Sequence, residues 1–311
     1  MANFGRVKSN IEQLEPMIAE LEAAQKASPD DFSIQLKLSS LRNQINDLRE
    51  QLYRENLKRD KEIIELRLIG QAANFGSIPL KFVGGITANF SSAILNTSKF
   101  IQFGGKGGKK RDEMIQSTVD LRLEGIGRGS TIFYLSGRTS ADLFGFSITQ
   151  EALRSTFELF QSNNSDELID RVSSVGVESV RYISKFLYEL SSDDLDIDLK
   201  WHSPDDREYL WKGRKENITR LYDSLNQMTI SQPSDISFEG ELVTISSKGK
   251  FEVQTIDNHR LYGQFSNDLL EKMKEFHIGD HCTGIITRTE IYNPASDKRK
   301  IEFNLKNIKL T

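Results

Sequence analysis

Residues 236–265, ISFEGELVTISSKGKFEVQTIDNHRLYGQF, decide the fold of the C-terminal part of this chain. Apolar and polar residues alternate along this stretch in three runs, and polar turn residues separate the runs, which is the pattern of consecutive β-strands. The predicted strands are 236–246, 251–256 and 260–265. Because alternation gives a strand one dry face and one wet face, the three strands predict a sheet that covers a core on one side.

The residues that follow complete the pattern of a small barrel. They predict a helix over 267–276 and two further strands, 281–291 and 299–310. Three strands, a helix and two strands in about 75 residues resemble the OB-fold, a five-stranded barrel. The resemblance covers residues 236–311 and rests on the order of the elements. It implies binding of single-stranded nucleic acid, oligosaccharide or protein through the face of strands 2 and 3 and through the loops that join strands 1 to 2 (L12) and 4 to 5 (L45).

Charge is unevenly distributed in this barrel segment. Residues 236–311 carry 11 Lys plus Arg and 11 Asp plus Glu, and a net charge of zero argues against a strong nucleic-acid binder. Cations nevertheless flank the expected face, and three aromatic residues on its strands would stack on bases if they pointed outward. The alternative is that the aromatic side chains fill the barrel and the lysines only keep the loops soluble. The candidate nucleic-acid-binding residues are Lys248, Lys250, Phe251, Tyr262, Phe265, Lys298, Arg299 and Lys300.

Residues 61–230 predict a central α+β domain with a mostly antiparallel sheet and helices on one face. Period-2 alternation marks its strands, and apolar stripes at helical spacing mark its helices. Residues 231–235, which include Pro233, form the predicted linker to the barrel. The predicted strands are 61–69, 119–125, 131–136, 195–202 and 207–212, and the predicted helices are 79–103, 147–161, 165–175, 177–191 and one that starts at Gly213.

The glycine-lysine segment 104–110, GGKGGKK, has the composition of a phosphate-binding loop but not its pattern. The spacing before Lys109 is one residue short, Lys110 stands where Ser or Thr is required, and a helix rather than a strand precedes the segment. The sequence therefore predicts a flexible basic loop and a secondary site for contact with phosphate or an acidic partner. Its cations are Lys106, Lys109, Lys110 and Arg111.

Residues 1–60 predict an N-terminal coiled-coil helical hairpin. Apolar residues from Val7 to Leu21 and from Ile34 to Leu52 are spaced alternately by 4 and 3, and Ser28-Pro29-Asp30-Asp31 starts the second helix. The second predicted helix outruns the first by roughly two turns, so part of its seam needs a partner. We expect self-association or a protein partner there; the alternative is an arm satisfied by its own core. The candidate seam residues are Ile34, Leu38, Leu41, Ile45, Leu48 and Leu52.

The composition of the 311 residues excludes several classes of protein. Lys plus Arg number 41 and Asp plus Glu 45, so a net charge of −4 gives no overall field toward DNA or anionic lipid. One cysteine, Cys282, and four histidines are too few for a Cys/His zinc site, and neither a metal nor a cofactor is predicted. The first residues lack the apolar core of a signal peptide, and no run of 18 apolar residues suggests a membrane span, which predicts a cytoplasmic protein.

Catalytic motifs do not emerge from the sequence. It contains no Gly-x-Ser-x-Gly elbow, and the acidic run 193–198 has no further metal ligands nearby. We therefore expect a non-enzymatic interaction or adaptor protein whose arm oligomerises or binds a partner and whose barrel recognises a ligand. Such a chain would suit a prokaryotic phage-defence or toxin-control system. The alternatives are an accessory protein that binds single-stranded nucleic acid with the barrel, and an enzyme with an unrecognised site in the central domain.

Overall fold

The chain forms a helical arm, an α+β body and a closed β-barrel. The structure is a computed structural model, and it describes nine segments of the chain. Pro29 and Asp30, part of the predicted start of the second helix, lie outside these segments. The described residues are 3–28, 31–57, 61–76, 78–105, 107–127, 131–139, 147–203, 207–246 and 249–311.

The arm consists of helices α1 (Asn3–Ala27) and α2 (Phe32–Leu57). They run antiparallel, because Glu22 of α1 pairs with Arg42 of α2 at 2.7 Å, and Glu15, earlier in α1, pairs with a later residue of α2. The helices have 25 and 26 residues, so the prediction that α2 outruns α1 by two turns is wrong. The reason is that α1 begins before its first seam residue, and an apolar seam does not mark where a helix starts.

The body contains a five-stranded sheet in the order β2-β3-β1-β4-β5, in which every neighbouring pair is antiparallel. This confirms the predicted α+β architecture with an antiparallel sheet. Leu66, Leu199 and Trp201 lie on its core face, and all three are fully buried. The strands are β1 (Lys61–Ile69), β2 (Arg122–Gly127), β3 (Thr131–Arg138), β4 (Asp196–His202) and β5 (Glu208–Gly213).

Amphipathic helices cover the core face of this sheet, and side chains from the helices and the strands form one apolar core. One helix, α4, was not predicted from the sequence. Only Ile115 and Val119 of its eleven residues are buried, which leaves too short an apolar stripe to reveal a helix. The helices are α3 (Leu80–Phe103), α4 (Lys109–Val119), α5 (Ile148–Phe160), α6 (Ser165–Val175), α7 (Val177–Ser192) and α8 (Lys215–Gln227).

The C-terminal part is a closed five-stranded barrel, which confirms the OB-like fold predicted for residues 236–311. Around the barrel the strands follow the order β7-β8-β9-β11-β10 and back to β7. The β9–β11 pair is parallel, and the other pairs are antiparallel. The predicted helix over 267–276 is shorter than expected. The elements are β7 (Ser234–Ile245), β8 (Lys250–Thr255), β9 (Arg260–Phe265), a 3-10 turn (Asn267–Leu269), α9 (Leu270–Met273), β10 (His281–Asn293) and β11 (Lys298–Leu310).

Strand β10 continues beyond the barrel and into the body. Its Ile291 pairs with Ile230 of the short strand β6 (Thr229–Ile230) and lies in the core of the body, whereas Cys282 and Ile286 of the same strand lie in the core of the barrel. In the predicted linker, the N–H of Ser231 donates to the carbonyl of Glu290 at 2.8 Å. The start of that segment is therefore tied to β10.

Candidate functional site

The candidate face of the barrel lies on the outer surface of β8 and β9. Lys250 and Tyr262 are exposed there, Tyr262 by 59%. Arg260, two residues before Tyr262, points to the same side and approaches Glu252 at 3.2 Å. The sequence analysis missed Arg260, although its period-2 relation to Tyr262 was visible. The face therefore offers one exposed aromatic ring and two cations, one of which is partly neutralised.

Phe251 and Phe265 do not contribute to this face. Their exposed fractions are 2% and 5%, and both side chains pack in the core of the barrel. They follow the alternative in which aromatic side chains fill the barrel and are not available to stack on a ligand, because successive side chains of a strand point to opposite faces and these two belong to the inner set. Lys248 lies outside the described residues.

The three cations that follow L45 (residues 294–297) are all bound within the chain. Lys298 forms an ion pair with Asp166, and Lys300 pairs with Asp170 at 2.7 Å. Both aspartates lie on α6, four residues and thus one turn apart. Arg299 contacts Glu290 at 3.6 Å and lies over the ring of Tyr292, 5.1 Å from its centroid. This corrects the expectation that these cations flank the binding face: Lys298 and Lys300 attach the barrel to α6 of the body, and Arg299 is held on β10.

Glu302 lies beside these ion pairs, in the contact between β11 and α6. Its side chain is 12% exposed, 3.7 Å from Lys300 and within hydrogen-bonding reach of Ser173 on α6. Burial raises the pKa of the Glu302 carboxyl above its ordinary value, while Ser173 and Lys300 act in the opposite direction. The contact therefore contains a titratable group whose charged form is disfavoured by its surroundings.

The basic segment after α3 is not a flexible loop throughout. Lys109, Lys110 and Arg111 form the first turn of α4, and the guanidinium of Arg111 lies 5.4 Å from the centroid of the Phe103 ring. Lys109 is 92% exposed, with Glu113 at 4.0 Å. Lys106 lies outside the described residues. The described part of this segment is therefore an exposed basic helix start.

The seam residues of the arm pack mainly against other residues of the same chain. Leu38 and Ile45 are 2% and 4% exposed, and Ile45 packs with residues of α1. Ile34, Leu41 and Leu48 are partly buried, and the side chain of Leu52 is outside the described set. On the described part of α2 the exposed large apolar side chains are instead Phe32 (74%) and Leu36 (60%), one turn apart at its start; Met17 on α1 is 50% exposed. The sequence shows both residues out of register with the seam, which is the signal that could have identified them.

The charged side chains on the body sheet join its strands and the adjacent helix. The Nε2 of His202 on β4 lies 3.0 Å from Glu65 on β1, and Trp201 Nε1 donates to the buried Glu62 at 2.8 Å. In the acidic run, Asp198 pairs with Arg214 at 2.7 Å, immediately before α8. Within the segments that the structure describes, no three His, Cys, Asp or Glu side chains converge to hold a metal ion.

Cys282 is also placed for packing. It is fully buried in the barrel core, and burial raises the pKa of its thiol to about 11, with a smaller contribution from Asp280. Such a thiol is held in its neutral form at physiological pH.

Comparisons with known proteins give one similarity. No family model matches the chain, and no curated protein matches it. Among solved structures, it is similar to a mitochondrial single-stranded DNA binding protein from S. cerevisiae, Rim1, with a TM-score of 0.23 and 11% identity over 25% of this chain and 94% of that chain. Across the described part of the chain, no helix has both the length and the apolar character needed to cross a membrane.

The buried position of Glu302 predicts a specific pH dependence of stability. Because the folded state raises the pKa of this carboxyl, the folded chain retains the proton to higher pH than the unfolded chain, and Glu302 lowers stability as pH rises through that interval. The variant Glu302→Gln should therefore gain stability relative to wild type as pH rises from 4 toward 7, which urea unfolding followed by circular dichroism would measure. The control is Glu271→Gln, which removes a 72% exposed carboxylate. The prediction would be contradicted if the free energy of unfolding of Glu302→Gln differed from that of wild type by the same amount at pH 4 and at pH 7.

Proposed function

We propose that this chain is a non-enzymatic adaptor protein that associates with a second copy of itself through the end of its helical arm and presents its barrel as a recognition module. The observation that carries the proposal is the exposure of Phe32 and Leu36 at the start of α2. Two large apolar side chains on neighbouring turns of one helix face are a common feature of helix docking surfaces. The 4-3 spacing of the arm supports coiled-coil packing.

Three further features support this proposal. The barrel is anchored to the body through β10 and through the α6–β11 contact, so a ligand on the barrel and a partner on the arm would be held by connected elements. The carboxylate of Asp198, on strand β4 of the body sheet, pairs with the cation Arg214. A reducing cytoplasm would suit the single buried thiol of Cys282. The pathway, whether phage defence or toxin control, stays a prediction.

Replacing both exposed arm residues should weaken self-association. We expect the mass of the wild-type chain to rise over a roughly hundredfold range of concentration, because mass action favours the associated state. The variant Phe32→Glu/Leu36→Glu should weaken the dimer by at least about tenfold, or about 1.4 kcal/mol. Sedimentation velocity measures both.

The matched control is Ser39→Glu/Ser40→Glu, which adds the same two charges at exposed positions of the same helix. It should associate like wild type. A wild-type chain that remains monomeric over the whole range, or a control that dissociates as readily as the Phe32→Glu/Leu36→Glu variant, would contradict the proposal.

Binding of single-stranded nucleic acid by the barrel is the second candidate function. Tyr262 favours it, because its ring is 59% exposed and lies on the same face as Lys250 and Arg260. Within the described segments, Lys250 forms no ion pair, whereas each of the three cations after L45 pairs with a carboxylate. Stacking on one aromatic ring contributes about 1–3 kcal/mol per base. The similarity to Rim1 is compatible with this candidate and adds no independent support at its TM-score.

This second function predicts weak binding with a shallow dependence on salt. Two contacting cations give a slope of log affinity against log salt of about −1.4, whereas five would give about −3.5. Tyr262→Ala should reduce the affinity for a fluorescent oligothymidylate by about tenfold in an anisotropy titration, and Ile256→Ala, which removes a 71% exposed side chain elsewhere on the barrel, should not. Absence of binding at low salt, or equal effects of the two substitutions, would exclude this function.

A further inference from the structure

A groove between α7 and α8 is separate from both surfaces considered above. Its volume is about 530 Å³, within the usual range of small-ligand sites. Val180, Leu225 and Met228 form an apolar floor and are 4–8% exposed, and Ile230 of β6 closes one side. The floor of the groove is therefore formed by residues of the body core.

Two cations line this groove without a carboxylate to balance them. Arg181 and Lys185 are exposed and four residues apart, on one face of α7. In the described part of the chain neither forms an ion pair, and the groove lining contains no Asp or Glu. Like charges at this spacing destabilise a helix by a few tenths of a kcal/mol. Several other surface cations of this chain do have acidic partners, as Lys300 has in Asp170.

Two tyrosines form the wall next to these cations. Tyr188, 53% exposed, lies on α7 about 4.5 Å along the helix axis from Lys185. Its ring centroid is 5.8 Å from that of Tyr222 on α8, with 38° between the ring planes. Exposed tyrosine rings stack on nucleobases regardless of base identity. Ser184 and Asn226 add hydrogen-bonding groups to the same lining.

We propose that the α7–α8 groove binds a nucleotide unit, with its base against Tyr188 and Tyr222 and its phosphate at Arg181 and Lys185. The charges match, because a terminal phosphate carries close to two negative charges and the groove supplies two positive ones. The guanidinium of arginine and the ammonium of lysine are the side-chain groups that bind phosphate most effectively. The nucleotide is either free or the terminal unit of a single strand, because both present the same ring and a terminal phosphate.

The test is isothermal titration calorimetry of the full chain with five probes: adenosine monophosphate, adenosine, ribose 5-phosphate, a 5′-phosphorylated single-stranded pentanucleotide, and laurate as an apolar anion. Because the ring and phosphate contacts act together, adenosine monophosphate should bind at least about tenfold more tightly than adenosine or ribose 5-phosphate. Binding of the pentanucleotide in competition with adenosine monophosphate would identify the strand as the source. Failure to compete would identify the free nucleotide, and either result supports the site.

Substitutions separate the groove from general effects of charge. Lys185→Glu and Tyr188→Ala should each weaken binding of adenosine monophosphate by at least about tenfold, and because both side chains are exposed the variants should fold. Lys109→Glu makes the same charge change at a 92% exposed position on α4, and Tyr262→Ala removes the ring of the barrel face. Neither control should alter the affinity, so failure of the barrel as a nucleic-acid binder leaves this test intact.

Three results would overturn the proposal. The first is no measurable binding of adenosine monophosphate. The second is equal affinity for ribose 5-phosphate, which would show that the phosphate alone is bound. The third is binding of laurate that is tighter than the binding of adenosine monophosphate and that Tyr188→Ala does not change. This result would assign the groove to an apolar anion that contacts only the apolar floor and the two cations.

Discussion

Strand β10 is shared by two apolar cores, and the arrangement of the barrel and the body depends on it. Thirteen extended residues, His281–Asn293, span about 40 Å, so one strand is long enough to reach from Cys282 in the barrel core to Ile291 in the body core. Burying an isoleucine side chain contributes about 1.5–3 kcal/mol, whereas an exposed ion pair contributes about 0–1 kcal/mol. The shared strand therefore sets the position, and the pairs of Lys298 and Lys300 with α6 add orientation.

This anchoring determines which surfaces remain for binding. Two of the cations after L45, Lys298 and Lys300, join the barrel to α6. What remains is the β8–β9 face around Tyr262, the end of the arm at Phe32 and Leu36, and the groove between α7 and α8. These surfaces lie on connected elements, which fits a protein that brings ligands together.

The sequence predicted the elements better than their contacts. Alternation in residues 236–310 was sufficient for the barrel, because period 2 and element order are local properties. Alternation did not reveal which set of aromatic residues points inward, so the sequence left open whether Phe251 and Phe265 face a ligand or fill the barrel. The partners of Lys298 and Lys300 lie 132 and 130 residues away on α6, and no local pattern indicates such a pairing. Helix α4 was missed because it buries only two apolar side chains.

The groove illustrates the same limit. Arg181, Lys185 and Tyr188 are separated by four and three residues, so their common helix face could be identified from the sequence. Tyr222 comes from a different helix, and the absence of a facing carboxylate depends on how α7 and α8 pack. The binding proposed for this groove therefore depends on tertiary neighbours more than on a sequence motif.

Native-state hydrogen exchange measured by mass spectrometry tests the sharing of β10 most directly. If β10 belongs to both cores, residues 229–231 and 290–292 should exchange as slowly as β1 and β4 of the body sheet, because their opening requires that core to open. Fast exchange of 229–231 and 290–292 while β1 and β4 remain protected would show that the barrel is attached only by a linker, and would contradict the account.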